Sequence, residues 1–462
     1  MSNVDGGAEP RRPPQRGREG RVLDRGAMIL RDPVHGLVAF EGDFEKVALA
    51  LLDTREVQRL RRVRQLGLTS LVFPGAEHSR FAHALGAAHV MTRLLEHVTP
   101  RQTDLPPTLR LDETHARDAF AAAMLHDLGH GPFSHLFEEV MPSARPHEAW
   151  TTAIITDEGT EVNAALRSFD PAMPARVASL IDGEHALPWL GSAISGTLDV
   201  DRCDYLLRDS HMTGVPYGRY DLDWLLRSLA FAQLPAGDWV LAIEGRKGLP
   251  PIEGFFLARH FMYQQVYHHK TTRSAECLVR GLFVRAAELV RDARTPAGTP
   301  DAIARAVLGE QSSIDAYLEL DDARLIHCLS VWETDRDPVL ADLAQRFRSR
   351  RLPKTVPLPE GEGAEAKWRE AHARASEIVT RRGLRADLHV WLDVAEDVPY
   401  EEPTDASREG LWVTLRHQPL RRLGDISFAL ERLRNVKVVR PRLCFPREVR
   451  DEVLAALEPV LG

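Results

Sequence analysis

Five of the chain's 19 histidines, His115, His126, His130, His135 and His147, crowd into one short stretch. Its centre reads His126-Asp127-Leu128-Gly129-His130-Gly131-Pro132-Phe133-Ser134-His135. An imidazole beside a carboxylate is a donor pair for a divalent cation, and both groups are costly to bury without a partner. The dipeptide alone arises by chance in a chain of this composition, and a helix-end salt bridge with a satisfied histidine accounts for it equally well. Placement adds weight. His126 and Asp127 close the apolar run Ala119–Leu125, and Gly129 and Gly131 follow, where a backbone can approach a ligand closely.

Two further segments bear on the choice. Ser79-Arg80-Phe81-Ala82-His83 sets Arg80 and His83 three apart, on one face of a helix. Downstream, Asp201, Tyr205 and Asp209 recur every fourth residue as one polar stripe. Such a stripe is ordinarily solvated surface, but this one contains a tyrosine and is bracketed by Leu198, Leu206 and Leu207. Two histidines with two carboxylates form a mixed nitrogen and oxygen set. It suits Mn, Fe, Mg, Ni or Zn with positions left open, not a closed structural zinc site. An open site lowers the pKa of bound water and neutralises a phosphate oxygen.

In this order, Arg80-x-x-His83, the 126–135 segment and Asp199-Val-Asp201-Arg202-Cys-Asp204-Tyr205 resemble the HD-domain phosphohydrolase superfamily. Within it, the chain is similar to the deoxynucleoside triphosphate triphosphohydrolases, namely the bacterial enzymes and the human sterile-alpha-motif and HD-domain enzyme. The likeness runs from Asp32-Pro-Val-His35-Gly36 through Phe73-Pro-Gly-Ala-Glu-His78 to Tyr267-His-His-Lys270, and extends weakly into the C-terminal part. The leader is too short for a sterile-alpha-motif domain.

The resemblance implies that His83, His126, Asp127 and Asp201 ligate the metal. It sets His130 and His147 beside the scissile phosphate, with His147 as general acid to the leaving 5′-oxygen. The relay carboxylate falls on Glu138, where the family carries Asp. Arg80, His135, Arg202, Tyr205, Arg259 and Lys270 align with phosphate-contacting positions, in keeping with the polyanionic triphosphate. Gln65, Asp209 and Tyr267 match residues that touch the sugar, and a tyrosine ring under a deoxyribose leaves no room for a 2′-hydroxyl. As plain helix residues, Gln65 and Tyr267 read equally well as packing or surface. Asp53, Gln58 and Arg61 stand at guanine-reading allosteric positions, although Asp53 followed by Glu56 also reads as an N-cap with its capping-box partner. The nearby lysine of the human enzyme is Met28 here. A GTP or dNTP activator and a homo-oligomer, dimer or tetramer, follow from the same likeness.

The expected reaction is therefore hydrolysis of a dNTP at the α-phosphate, giving deoxynucleoside and inorganic triphosphate. One alternative keeps the site and changes the substrate to a nucleoside monophosphate or another nucleotide. Cyclic dinucleotides are disfavoured, because His130 replaces the lysine of an HDxGK signature. A second alternative is a nucleotide-sensing or nucleic-acid-binding module with secondary hydrolysis.

Helices must position these groups. Apolar residues at three- and four-residue spacing predict helices over 44–52, 55–66, 80–98, 114–128, 132–139, 147–155, 198–208, 221–230, 251–269 and 274–292. Loops are expected at 294–300 and 354–364, and strands at 388–394, 411–415 and 436–439. Helices are expected over 425–433 and 448–457. The fold class is mainly α, a multi-helical core with a small C-terminal α/β lobe. The boundaries are a disordered leader over 1–26, the helical domain over 27–380 and the lobe over 381–462.

At 462 residues and 44% hydrophobic content, the chain can bury a sizeable core. Its longest apolar run is far below the roughly 20 residues of a membrane helix. The N-terminus lacks the apolar stretch of a secretory signal, and the four cysteines form no CxxC pair, which together predict a reducing cytoplasm. A net charge of −8 offers no global basic field for nucleic acid. Only six of the 59 cationic residues are lysine. The Arg346–Arg351 cluster reads as a solvated face, with single-stranded nucleic acid as the minor alternative, and His89 and His97 as ordinary helix residues.

Overall fold

The computed structural model describes residues 28–140, 145–310, 312–403 and 410–461. The expected leader lies outside the described residues. The fold is mainly helical, as the periodicity predicts. At its centre runs the Glu113–Leu125 helix, started by Asp112, whose carboxylate accepts the His115 N–H at 2.8 Å. Every residue from Ala119 to Leu125 is fully buried, because the Arg80–Val98, Met173–Ile181 and Pro188–Ile194 helices pack around it. The alanines keep its girth small, and a helix apolar all round can lie only inside. Its C-terminal end is therefore carried into the protein interior, and with it His126 and Asp127.

Among the described residues, three small sheets attach to this body. Met28–Asp32 and Gly36–Phe40 form an antiparallel hairpin at the start of the described chain. The second sheet has the order Leu229–Gln233, Trp239–Glu244, Trp412–Thr414, Arg421–Arg422. The third joins Lys354–Pro357, Val438–Phe445 and Trp391–Asp397, all antiparallel, and is covered by the Ala364–Arg381 and Arg450–Leu461 helices.

Several expected elements differ. The helix beginning at Arg55 breaks down after Arg62 and does not reach Leu66. There the Val63 carbonyl accepts the Arg80 N–H at 2.9 Å and the Gln65 N–H meets the His78 carbonyl at 3.0 Å, so tertiary pairing replaces the helical bonds. The cap of that helix is Thr54, which accepts from Val57 N–H, whereas Asp53 ends the preceding Gly42–Leu52 helix. Glu56 is buried and accepts the Glu161 N–H at 3.1 Å instead of closing a capping box. Leu229–Gln233 begins inside the helix expected over 221–230 but forms an antiparallel hairpin with Trp239–Glu244, which also pairs with Trp412–Thr414 far along the chain. The loop expected from residue 354 begins with a strand that likewise pairs far along the chain. Arg346 is buried against Asp342 and Glu448 and is not on a solvated face.

Candidate active site

Three helices converge on one point. His83 sits in the first turn of the Arg80–Val98 helix, His126 and Asp127 at the end of the Glu113–Leu125 helix, and Asp201 in the first turn of Val200–Thr213. The Nε2 atom of His83 lies 2.9 Å from Asp201 Oδ1, 3.2 Å from His126 Nε2 and 3.6 Å from Asp127 Oδ2. His126 Nε2 lies 3.4 Å from Asp201 Oδ1 and 3.5 Å from Asp127 Oδ1. Donors around one ion at about 2.1 Å sit roughly 3.0–3.4 Å apart, so this set has the spacing of a coordination shell. The far ring nitrogens are claimed, His83 Nδ1 by Asp204 Oδ2 at 2.7 Å and His126 Nδ1 by the Ala123 carbonyl at 2.9 Å, which leaves both Nε2 atoms aimed inward.

The electrostatics agree. Burial disfavours a charged His83 ring, yet the carboxylates of Asp201 and Asp204 raise its pKa to about 10. Burial also opposes the Asp127 charge, but Arg80, His126 and His130 outweigh it and hold the carboxyl well below its usual range. A cation taking up the inward lone pairs would replace the protons that now balance these carboxylates.

A second cluster adjoins the first. His130 Nε2 lies 3.2 Å from Asp127 Oδ1, and its ring stacks on His147 with centroids 3.8 Å apart. His147 Nδ1 meets Glu138 Oε1 at 2.9 Å, and His135 stands 5.2 Å from the His147 ring. Donor atoms of His130, His135, Glu138 and His147 all fall within 4.8 Å of one another. Burial and the nearby Arg80 push the His130 pKa well down, which keeps that ring neutral. Glu138, longer than the expected aspartate, still reaches its histidine.

Residues 80–209 match the HD domain, and residues 221–462 match the HD associated region. The chain belongs to the HD-domain phosphohydrolases. The Bacillus subtilis protein YwfO is 32% identical over 424 residues, covering 91% of this chain and 92% of its own. The Homo sapiens deoxynucleoside triphosphate triphosphohydrolase SAMHD1 is 27% identical over 345 residues, 68% of this chain and 52% of that protein. A crystal structure of a phosphohydrolase from Bacteroides thetaiotaomicron superposes with a TM-score of 0.76 at 26% identity, over 91% of this chain and 100% of the other. Among the described residues, no helix is long and apolar enough to cross a membrane.

Around this HD centre, the expected substrate residues fall into two groups. Arg80 pairs with Asp127 and reaches Ser134 Oγ at 2.9 Å. Tyr205 stands 6.5 Å from the His83 ring and 6.2 Å from Tyr267. The Tyr267 hydroxyl donates to Asp209 Oδ2 at 2.8 Å, and His78 Nε2 meets Asp209 Oδ1 at 2.8 Å. Gln65 presents a buried side-chain oxygen without a hydrogen-bond partner. The other group is committed elsewhere or outward. Arg202 is tied to Asp199 and to the Gly196 carbonyl. Arg259 holds Asp397 and the Val398 and Pro399 carbonyls. Lys270 is exposed at the start of its helix. Asp53 is exposed, while Gln58 bonds the Leu52 carbonyl at 2.6 Å and Arg61 lies over the Phe81 ring.

Sequence reasoning missed the supports. Arg59, fully buried, donates to the His130 carbonyl at 2.8 Å and to Leu320 at 2.8 Å, pinning the turn after Asp127. Asp322 accepts the Phe133 N–H at 2.9 Å and the Arg64 N–H at 3.1 Å. It thereby fixes a loop in which Phe133 and Ser134 both hold a φ of 57°. Tyr263 joins Tyr267 at 4.9 Å through a π turn at 263–267. Arg59 and Asp322 have no local signal, because each acts on residues remote in sequence.

Proposed function

We propose that this protein is a divalent-metal-dependent dNTP triphosphohydrolase. The carrying observation is the convergence of His83, His126, Asp127 and Asp201 on one point with the His130–His147–Glu138 cluster beside it. Its likeness to SAMHD1 supports the choice of substrate. His83, His126, Asp127 and Asp201 would hold the divalent cation, which when bound would supply an activated water and neutralise a phosphate oxygen.

The protein's own groups do the rest in this reading. Water oxygen bonds to the α-phosphorus, the bond from phosphorus to the 5′-oxygen breaks, His147 delivers its proton to that oxygen, and the proton lost by the water restores His147. Glu138 orients His147 through Nδ1. Neutral His130 lies against Asp127 and stacks on His147, holding that ring at the reacting phosphate. Arg80 answers phosphate charge, and Tyr267 with Asp209 meets the sugar. Activation by GTP or a dNTP, and assembly into dimers or tetramers, extend the same reading.

The test supplies each dNTP with Mn²⁺ or Mg²⁺, with and without GTP or a second dNTP, and resolves products by ion exchange. Deoxynucleoside and triphosphate are expected, abolished by EDTA and reduced at least ~10³-fold by Asp127→Ala. Silence toward every dNTP overturns the reading, and turnover of monophosphates alone moves it to the other nucleotide substrates.

A further inference from the structure

Behind the metal centre lies a fully buried carboxylate to which no role has been given. Asp204 has no exposed surface, and its oxygens receive four hydrogen bonds. Oδ2 faces His83 Nδ1 at 2.7 Å and Arg208 Nε at 2.8 Å; Oδ1 faces His35 Nε2 at 2.7 Å and Arg208 Nη2 at 2.8 Å. Arg208 continues to Asp32 Oδ2 at 2.7 Å, and Asp32 Oδ1 accepts the N–H groups of Val34 and His35 at 2.8 and 2.9 Å. Asp32 ends the first strand of the N-terminal hairpin, and His35 lies in its turn.

The helix that carries His83 is shaped for this group. Gly86 lies one turn beyond His83, and a Cβ there would stand 1.9 Å from Asp204 Oδ1 and 2.3 Å from Arg208 Nη2. A plain ion pair between Asp204 and Arg208 would need that notch as well, but it would not need a histidine on each side, and here His83 and His35 both face the carboxylate. A histidine ligand needs its second nitrogen fixed as a donor, so that the first keeps a bare lone pair aimed at the cation.

We infer that Asp204 is the positioning residue of the metal centre, orienting His83 through Nδ1, and that His35 of the hairpin anchors Asp204 from the opposite side. Metal affinity thus depends on a hairpin that supplies no ligand. The inference rests on the proposed metal site.

The experiment titrates Co²⁺ into the metal-stripped full chain and follows its visible absorption band, for wild type, Asp204→Asn, His35→Ala and His35→Gln. Asp204→Asn is expected to weaken binding by roughly 10–100-fold and to shift the band. His35→Ala loses several-fold, and His35→Gln, whose amide still donates, recovers most of it. If Asp204→Asn does not fold, the two His35 variants carry the test. Wild-type affinity and band in both Asp204→Asn and His35→Ala would overturn the inference while leaving the metal site intact. A wild-type chain that takes up no Co²⁺ would overturn both.

Discussion

An imidazole that is to ligate a metal has two nitrogens, and the proposed site disposes of the spare one in two ways. His126 gives it to a carbonyl of its own helix, Ala123, so that orientation is a local matter. His83 gives it to Asp204, a residue of another helix. Long-range dependence recurs at Asp322, where burial raises the carboxyl from 3.8 to about 6 against the pull of two backbone N–H groups. The folded state therefore holds a proton there that the unfolded chain has released. This contribution to stability is complete below pH 4 and is lost as the pH rises through about 6. Asp322→Asn removes the titration. Thermal unfolding at pH 4 and pH 7 should show the variant gaining on wild type by up to about 3 kcal/mol across that interval. A constant difference would refute it.

Among the elements, the turn between the Glu113–Leu125 helix and the His147–Thr156 helix determines whether the two clusters meet. Gly129 makes the contact possible. A Cβ there would stand 2.1 Å from the His147 carbonyl and 2.4 Å from the Thr151 nitrogen, both backbone atoms that no rotamer change can move. Thr151 completes the joint, accepting the Gly129 N–H at 2.9 Å and donating to the His126 carbonyl at 3.0 Å. Gly129→Ala should thus cost roughly 1–3 kcal/mol of stability and separate His147 from His130. Activity is expected to fall more than ~10-fold with metal content retained. Wild-type turnover in this variant would show that the stacked histidines do not act together. The two glycines after the dipeptide were legible in the sequence as points of close approach. That the approach is to a helix, and to which one, was not, because nothing in the turn names its neighbour.

Across the whole molecule, the Trp391–Asp397 strand is one of the fastenings between the C-terminal sheet and the helical body, beside Arg442, which donates to the His268 carbonyl at 2.9 Å. Trp391–Asp397 sends Asp393 to Arg273 at 2.7 Å and Asp397 to Arg259 at 2.9 Å. Close by, a Cβ on Gly281 would lie 2.4 Å from the Leu388 carbonyl, so the Lys270–Arg291 helix and this region touch backbone to backbone. Asp393 is buried, and removing it strands part of the Arg273 charge, although Glu276 stays at 2.7 Å. Asp393→Ala should cost about 2–3 kcal/mol in urea unfolding, less than the roughly 3–5 expected for a buried ion pair stripped of its only partner. A shift below about 0.5 kcal/mol would mean that packing alone holds the joint.

What the sequence determined by itself was the pattern of donor residues and most of the helices. Adjacent or three-spaced donors such as His126-Asp127 and Arg80-x-x-His83, and the apolar run before them, are local patterns. Helical hydrogen bonds close within four residues, so a short window records them. Asp199 as the cap of its helix, accepting the Arg202 N–H at 2.7 Å, belongs to the same class of information. Tertiary structure alone decided which groups meet. Asp201 joins His83 through helix packing, the hairpin reaches Asp204, and Arg59 grips the turn at His130. The short strands at 239–244 and 354–357 each pair with a strand far along the chain. A ladder or a buried ion pair is stabilised by what stands opposite, and no stretch of sequence carries the identity of its distant partner.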